Sequence, residues 1–129
     1  MFSLSIAPRF AETDALGHLN NTVLPVWFEQ ARTPIFKFFT PSLDVTEWVL
    51  ILAKIEVEFL AEIFYGSDVE VKTYVETIGN SSLVVYQEVW QKEIKSAVGR
   101  ATMVHFDHEN KTSIRIPETI REQLRHHMV

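Results

Sequence analysis

The sequence contains no cysteine, which excludes disulfide bonds, zinc–thiolate sites and cysteine nucleophiles. The lack of cysteine fits a reducing compartment, and we expect a cytoplasmic protein. No hydrophobic run approaches the roughly 20 residues of a membrane-spanning helix. The opening MFSLSIAPRF also lacks the basic and long apolar segments of a signal peptide. We therefore expect no membrane partner.

Basic residues are outnumbered, with 12 lysines and arginines against 17 aspartates and glutamates and a formal net charge of -5. Proteins that bind nucleic acid usually present a basic face, so no nucleic-acid partner is expected. Hydrophobic residues, in contrast, make up 47% of the 129 residues. A chain of this length fits one domain, 1–129, with its own core. The apolar fraction indicates further surface buried between subunits.

Hydrophobic periodicity predicts a strand and then a helix in the first forty residues. The first segment alternates apolar with small or polar residues, as a strand does, at Phe2, Leu4 and Ile6. From Thr22 the apolar residues recur at helical spacing: Leu24, Trp27, Phe28, Ala31, Ile35 and Phe38. Asn20 or Asn21 can cap this helix, whereas Pro34 is expected to kink or end it.

The rest of the chain predicts four strands and a short helix. The strand segments are 48–62, 68–78, 82–92 and 96–106. One face of the second segment is expected to carry Val69, Val71, Thr73, Val75 and Thr77. Short turns join the four segments, so we expect them to be antiparallel neighbours in sequence order. Pro117 can open a C-terminal helix that buries Ile120 and Leu124. Together these elements predict an α+β fold, a curved antiparallel sheet of about five strands wrapped round a long central helix.

A polar decapeptide, ETDALGHLNN at residues 12–21, directly precedes the apolar helix. Asp14 would act there as a nucleophile or general base beside the free N–H groups of the helix N-terminus. The ordinary structural explanation is a surface acid that interacts with the helix dipole. Gly17 lets backbone approach a ligand closely, and His18 would orient Asp14 or substrate, or merely close the loop. The combination favours a functional site.

These residues resemble the hotdog-fold acyl-CoA thioesterases of the 4-hydroxybenzoyl-CoA thioesterase type. That family's signature is an acidic residue, any residue, Asp, two residues, Gly, His, a hydrophobic residue and Asn-Asn, followed by Phe-Glu-x-Ala-Arg on a helix. Here the two parts read as residues 12–21 and 28–32. The similarity covers nearly the whole chain, and the family's fold has the element order predicted above. The chain departs from the family at Ala61-Glu62, where Arg-Pro is frequent, and at Leu24, where Tyr is frequent.

The resemblance implies hydrolysis of an acyl-CoA or acyl carrier protein thioester. Asp14 would be the catalytic carboxylate, and His18 and Asn21 would complete the catalytic set. Amides from about Asn21 onward would polarise the thioester carbonyl. No metal and no cofactor are implied, because a thiolate is already a good leaving group and coenzyme A is part of the substrate.

The resemblance also implies where substrate binds and how the chains assemble. The expected substrate-binding residues are Gly17, Asn20 and Thr22 near the catalytic loop, and Gly79, Asn80, Ser81 and Ser82 in a turn that would touch the pantetheine arm. Trp27, Phe28 and Phe36 would line an acyl tunnel. Hotdog domains generally pair with their active sites at the subunit interface, so a homodimer or homotetramer is expected.

Two other functions fit the same fold. A hydratase or dehydratase of acyl thioesters would pair a histidine with a carboxylate, as His18 and Asp14 loosely do. A non-catalytic protein would bind acyl thioesters with a relic site. The intact decapeptide favours the thioesterase over both. Glu29 is expected to be a helix-surface acid paired with Arg32 at i+3.

Overall fold

The computed structural model describes residues 1–129 and consists of strands, helices and three short 3₁₀ turns. The strands are β1 (Phe2–Ile6), β2 (Leu50–Phe59), β3 (Val69–Ile78), β4 (Ser82–Gln91), β5 (Ile94–Asp107) and β6 (Thr112–Ser113). The helices are α1 (Leu24–Ala31), α2 (Thr33–Phe39) and α3 (Glu118–Arg125). The 3₁₀ turns are Phe10–Glu12, Asn21–Val23 and Val45–Glu47. None of the helices has the length and apolar character needed to cross a membrane.

The sheet is antiparallel throughout, with strand order β1-β3-β4-β5-β2 and β6 added beside β5. The expectation that the last four long strands are neighbours in sequence order is therefore wrong for β2 and β3. The connection over 60–68 is too long for a tight hairpin, and it carries the chain between opposite sides of the sheet. β1 takes the place beside β3, and β2 forms the far edge. The sheet and helices nevertheless make the expected α+β hotdog architecture.

The central helix is divided where Pro34 predicted a break. α1 ends at Ala31 and α2 begins at Thr33, with Pro34 in the first turn of α2. Proline lacks the N–H that a continuous helix needs at that position. Arg32, at the break, is buried, whereas Glu29 remains exposed. The expected ion pair between Glu29 and Arg32 is consequently not formed.

The core consists of two hydrophobic clusters that share no buried residue. One cluster places α1 on the sheet, with Trp27, Phe28, Val71 and Val89 among its members. The other lies under α2 and α3 and includes Ile35, Val85, Met103 and Leu124. α3 thus covers part of the sheet, so the central helix is not its only cover.

A β-bulge changes which side chains β3 buries. Val69, Val71, Thr73 and Val75 face the core as expected, but Thr77 is exposed. The pairing with β4 shifts between Val75 and Thr77, and one extra residue moves every later side chain to the opposite face.

The α1 cluster requires glycine at position 99 on β5. A Cβ built there would lie 2.7 Å from Cε2 of Phe28 and 2.9 Å from its Cδ2. The Phe28 ring is itself buried in the core, so it has little room to move. The Phe28 ring of α1 therefore contacts the backbone of β5 at Gly99, where any side chain would collide with it.

We expect Gly99→Ala to lower the free energy of unfolding by about 1–3 kcal/mol, because the added methyl group overpacks the Phe28 ring. Urea denaturation would measure the change. The same substitution in a Phe28→Leu background should cost less, since the shorter side chain leaves space. An equal cost in both backgrounds would show that the ring is not what excludes a side chain at position 99.

Candidate active site

Glu12 fixes the polar decapeptide to the central helix. Its side chain is only 8% exposed. Its Oε2 accepts a hydrogen bond from the Trp27 indole at 3.0 Å, and its Oε1 accepts one from the Arg9 backbone N–H at 2.8 Å. Burial by itself would raise the pKa of the Glu12 carboxyl, but these hydrogen bonds and the nearby Arg9 charge lower it overall. An ionised carboxylate therefore joins the loop to the core.

Backbone hydrogen bonds give the loop a defined shape. The Asp14 N–H donates to the His18 carbonyl at 2.8 Å, and the Asn20 N–H donates to the Glu12 carbonyl at 2.8 Å. Gly17 has φ +78°, a conformation that favours glycine, and the position of a Cβ there is open. Backbone conformation therefore accounts for this glycine.

Asp14 is exposed and held through one of its two carboxylate oxygens. Its Oδ1 accepts hydrogen bonds from the backbone N–H groups of Leu16, at 2.8 Å, and His18, at 3.2 Å. Its Oδ2 accepts no hydrogen bond from the protein. The carboxylate is thus oriented by hydrogen bonds to one of its oxygens, and the other oxygen is available to a substrate or a water molecule.

The His18 ring contacts Glu62 rather than Asp14. His18 Nε2 lies 2.8 Å from Glu62 Oε2, and the ring packs edge-on against Phe64 with centroids 5.1 Å apart. His18 reaches Asp14 only through its backbone N–H. Glu62 was noted in the sequence as a departure from the family pattern, with no role attached. The structure gives it the position of a partner for the imidazole.

Asp14, His18, Asn20 and Asn21 line one open cleft of about 360 Å³. Its other wall is formed by Leu19, Leu24 and the end of β2 with the following residues, 59–63. Gly17 and Thr22 belong to the same loop but do not line this cleft. The three expected catalytic residues therefore face a common space at the start of the central helix.

Not every amide at the helix start is available to a ligand. The Asn20 side chain caps the turn by accepting from the Thr22 N–H at 3.0 Å, and the Asn20 carbonyl accepts from the Val23 N–H at 3.0 Å. Pro25 has no N–H. Of the two expected caps, Asn20 caps the 3₁₀ turn Asn21–Val23 that precedes α1, and α1 itself has no side-chain cap. The backbone N–H groups that can face the cleft are therefore those near Asn21.

The turn over 79–82 lies at the other end of the sheet within one chain. Ser82 pairs with Val104, which pairs with Ile51 at the start of β2, whereas the cleft lies at the end of β2. Eight strand residues separate Ile51 from Phe59, or about 27 Å. The turn is also bonded to the C-terminal segment, through Arg115 Nη1 to Asn80 Oδ1 at 2.9 Å and Arg121 Nη1 to the Gly79 carbonyl at 2.7 Å.

Two of the aromatic residues expected in an acyl tunnel line cavities, and one does not. Phe28 and Phe36 border cavities between the helices and β2. Trp27 is 2% exposed in the α1 cluster and uses its indole N–H on Glu12, so its expected tunnel role is wrong.

No group of three or more His, Asp or Glu side chains is arranged to hold a metal ion.

The chain resembles known thioesterases in sequence and structure. A model of the thioesterase-like superfamily matches residues 8–124. A predicted thioesterase from Bacillus stearothermophilus is 43% identical with a TM-score of 0.96, covering 99% of this chain and 96% of that chain. A Thermus thermophilus thioesterase, complexed with coenzyme A and zinc, is 30% identical with a TM-score of 0.85, covering 97% and 92%. The DHNA-CoA thioesterase of Staphylococcus aureus is 25% identical with a TM-score of 0.75, covering 88% and 79%.

We expect Glu12→Gln to lower the free energy of unfolding at neutral pH by about 1–3 kcal/mol, because an amide NH₂ would face one of the two donors that Glu12 now accepts from. The pKa of Glu12 is lowered on folding, so its contribution is present above its ordinary value of 4.5 and is lost as pH falls through the folded value. Chemical denaturation between pH 7 and pH 3 should show the two proteins converging in acid. The exposed control Glu109→Gln should follow the wild type, and a constant Glu12→Gln deficit at every pH would contradict the assignment.

Proposed function

The chain belongs to the thioesterase-like superfamily, and we propose that it is an acyl-CoA thioesterase in which Asp14 is the catalytic carboxylate. One observation carries the proposal. Asp14 is oriented by two backbone amides on Oδ1 while Oδ2 is left without a protein partner, in a cleft at the start of the central helix. The coenzyme A in the Thermus relative, which is 30% identical, supports coenzyme A as the thiol carrier.

Asp14 would act in one of two ways. As a nucleophile, Oδ2 adds to the thioester carbonyl carbon, the C–S bond breaks, and coenzyme A leaves as the thiolate. Water then hydrolyses the resulting mixed anhydride to the free acid and regenerates Asp14. As a general base, Asp14 takes a proton from water while that water's oxygen adds to the carbonyl carbon. The tetrahedral intermediate then breaks its C–S bond and expels coenzyme A as the thiolate, and Asp14 gives up the proton to the thiolate or to solvent. Both routes yield a carboxylic acid and coenzyme A.

Negative charge that develops on the carbonyl oxygen needs a donor in the cleft. The amides of Thr22 and Val23 already bond to Asn20, so we assign this role to the backbone N–H of Asn21, at the positive end of the helix dipole. The His18 imidazole, oriented by Glu62 at 2.8 Å, faces the same cleft. It would position the thioester opposite Asp14.

We also propose that two copies pair along β2, the strand that closes one edge of the sheet. β2 is ten residues long, and its free edge exposes apolar side chains, with Ile51, Leu52, Ile55 and Phe59 between 37% and 59% exposed. A long, exposed, apolar edge strand is unusual in a monomer because it offers unpaired backbone groups to another chain. A second copy of β2 would satisfy them.

Antiparallel pairing of two β2 strands would complete the substrate site. It sets the start of one β2 beside the end of the other. The turn over 79–82 lies at the start of β2, and the Asp14 cleft lies at its end. The partner's turn would thereby come close to the cleft. The expected binding role of Gly79, Asn80, Ser81 and Ser82 accordingly requires the dimer.

Asp14→Asn should reduce free-thiol release from acyl-CoA by roughly 10²- to 10⁴-fold, because the amide cannot serve as nucleophile or base. A thiol-reactive dye would follow turnover on short, long and aromatic acyl-CoAs. Asp44→Asn is a matched control. Asp44 accepts from the Thr46 N–H at 2.9 Å in a similar loop outside the cleft, so this variant should keep full activity. Equal turnover in Asp14→Asn and wild type would remove Asp14 from the mechanism, and tight acyl-CoA binding without turnover would favour the binding protein.

Ile55→Lys should convert the dimer to a monomer and reduce turnover with it. Ile55 lies near the middle of β2, where antiparallel pairing brings each side chain close to its own copy, so two lysines would repel. Sedimentation velocity would measure the assembly. Val45→Lys adds the same charge at a residue that is 78% exposed outside β2 and should leave the dimer intact. A wild type that sediments as a monomer would refute the pairing.

A further inference from the structure

Arg32 is a buried cation with no carboxylate partner. It is 4% exposed at the break between α1 and α2, and no acidic oxygen lies within 4 Å of it. Its guanidinium makes one long hydrogen bond, from Nη1 to Gln87 Oε1 at 3.4 Å, and its Nε is buried without an acceptor. Burial lowers the pKa of Arg32, and the charge of Glu29 only partly opposes this. A buried charge left in this state is costly, so the structure lacks an anion at this point.

The neighbouring polar groups do not supply that anion. Gln87 Nε2 donates to the Phe28 carbonyl at 2.9 Å and to Thr73 Oγ1 at 3.0 Å, which holds the amide oxygen toward Arg32. Glu29 is exposed, and Glu56 pairs with Lys54 at 2.7 Å. The surroundings thus orient the guanidinium and leave its charge uncompensated.

Arg32 borders two adjoining cavities that form a trough between the central helices and β2. The cavities have volumes of about 150 Å³ and 380 Å³ and share Glu29, Arg32 and Leu52. Most of the remaining lining is apolar, including Phe28, Ile55 and Trp48. Arg100 also borders the trough, but its charge is paired with Glu76 at 3.1 Å. Arg32 is therefore the unneutralised cation of an otherwise mostly apolar trough.

We propose that this trough receives the acyl group and that Arg32 binds a carboxylate at the far end of that group, which makes ω-carboxyacyl-CoA thioesters the preferred substrates. The proposal rests on the thioesterase function proposed above. A bidentate carboxylate would give Arg32 the acceptors it lacks, and a charge-assisted hydrogen bond is among the stronger recognition contacts. The apolar walls would take the methylene chain between the two ends.

The spacing along α1 fits this arrangement. Leu24 lines the Asp14 cleft, and Pro25 and Val26, which follow it, line the trough. The cleft and the trough share no lining residue, but both border the first turn of α1. Eight residues separate Leu24 from Arg32, which is about 12 Å along the helix. This rise joins the two Cα atoms rather than the reacting groups, and a distance of this order favours the longer dicarboxylic acyl chains over the shortest.

Matched pairs of thioesters test the proposal. Succinyl-, adipyl- and suberyl-CoA would be compared with butyryl-, hexanoyl- and octanoyl-CoA, for turnover by the wild type and for binding to Asp14→Asn. We expect the carboxylated member of at least the longer pairs to be favoured by roughly 10- to 100-fold in kcat/KM and in affinity, from one charge-assisted contact. Equal values for both members of every pair would overturn the proposal while leaving the hydrolase intact.

Variants of Arg32 test whether this residue causes the preference for carboxylated thioesters. Arg32→Met keeps the side-chain length and removes the charge, so it should abolish the preference by slowing only the carboxylated series. Arg32→Gln provides a second variant if the first does not fold. Lys37→Met removes one exposed cation from α2 and should leave the preference unchanged. A preference that survives in both Arg32 variants would overturn the proposal.

Two further outcomes distinguish this proposal from the thioesterase function on which it rests. Preferential binding of the carboxylated series without turnover of either series would support Arg32 and refute the hydrolase. A wild type without preference, whose dimer is lost in Arg32→Met and Arg32→Gln, would overturn the proposal and show that the missing anion is a carboxylate of the second copy.

Discussion

The hydrogen bond between the Glu12 carboxylate and the Trp27 indole is the contact on which the active-site geometry depends. Trp27 is packed in the α1 cluster, so its N–H is a fixed point on the helix. Glu12 connects that point to a loop whose other contacts run to the segment after β2, through His18 to Glu62 and Phe64. Asp14 follows two residues later, and its position relative to the helix start is therefore set by the core. The two acidic residues have different reasons to be there: Glu12 accepts these hydrogen bonds, and Asp14 is the proposed catalytic carboxylate.

The fold was largely predictable because its signals are local. Pro34 predicts the helix break, and the alternation in β3 predicts its buried face, since each depends on the residue and its near neighbours. Asn20 does form a cap, but on the 3₁₀ turn before α1 rather than on the helix. The order of strands was not predictable in this way. The placement of β2 beside β5 depends on where the connection over 60–68 carries the chain, and no short-range pattern encodes that path. The exposure of Thr77 depends on a bulge that is visible only in the pairing with β4.

The site was predictable as a motif but not as a set of contacts. The spacing of Asp14, His18 and Asn21 identifies a loop in front of a helix, and the structure gathers all three at one cleft. Glu62 and Arg32 required the fold. Glu62 reaches His18 from a segment more than forty residues away in sequence. Helical spacing alone predicts that Arg32 forms an ion pair on the helix surface. Its burial, at the break between α1 and α2, is seen only in the folded structure.

The division of the core at Arg32 also bears on how this protein can evolve. The loop that holds Asp14 is tied to the cluster under α1, whereas α2 and α3 pack in a separate cluster with no buried residue in common. Substitutions under α2 can therefore reshape the far end of the trough without moving the proposed catalytic residues. Under the proposed function, substitutions there would change the preferred acyl length without changing the reaction, so that reaction and specificity could evolve separately in one small protein.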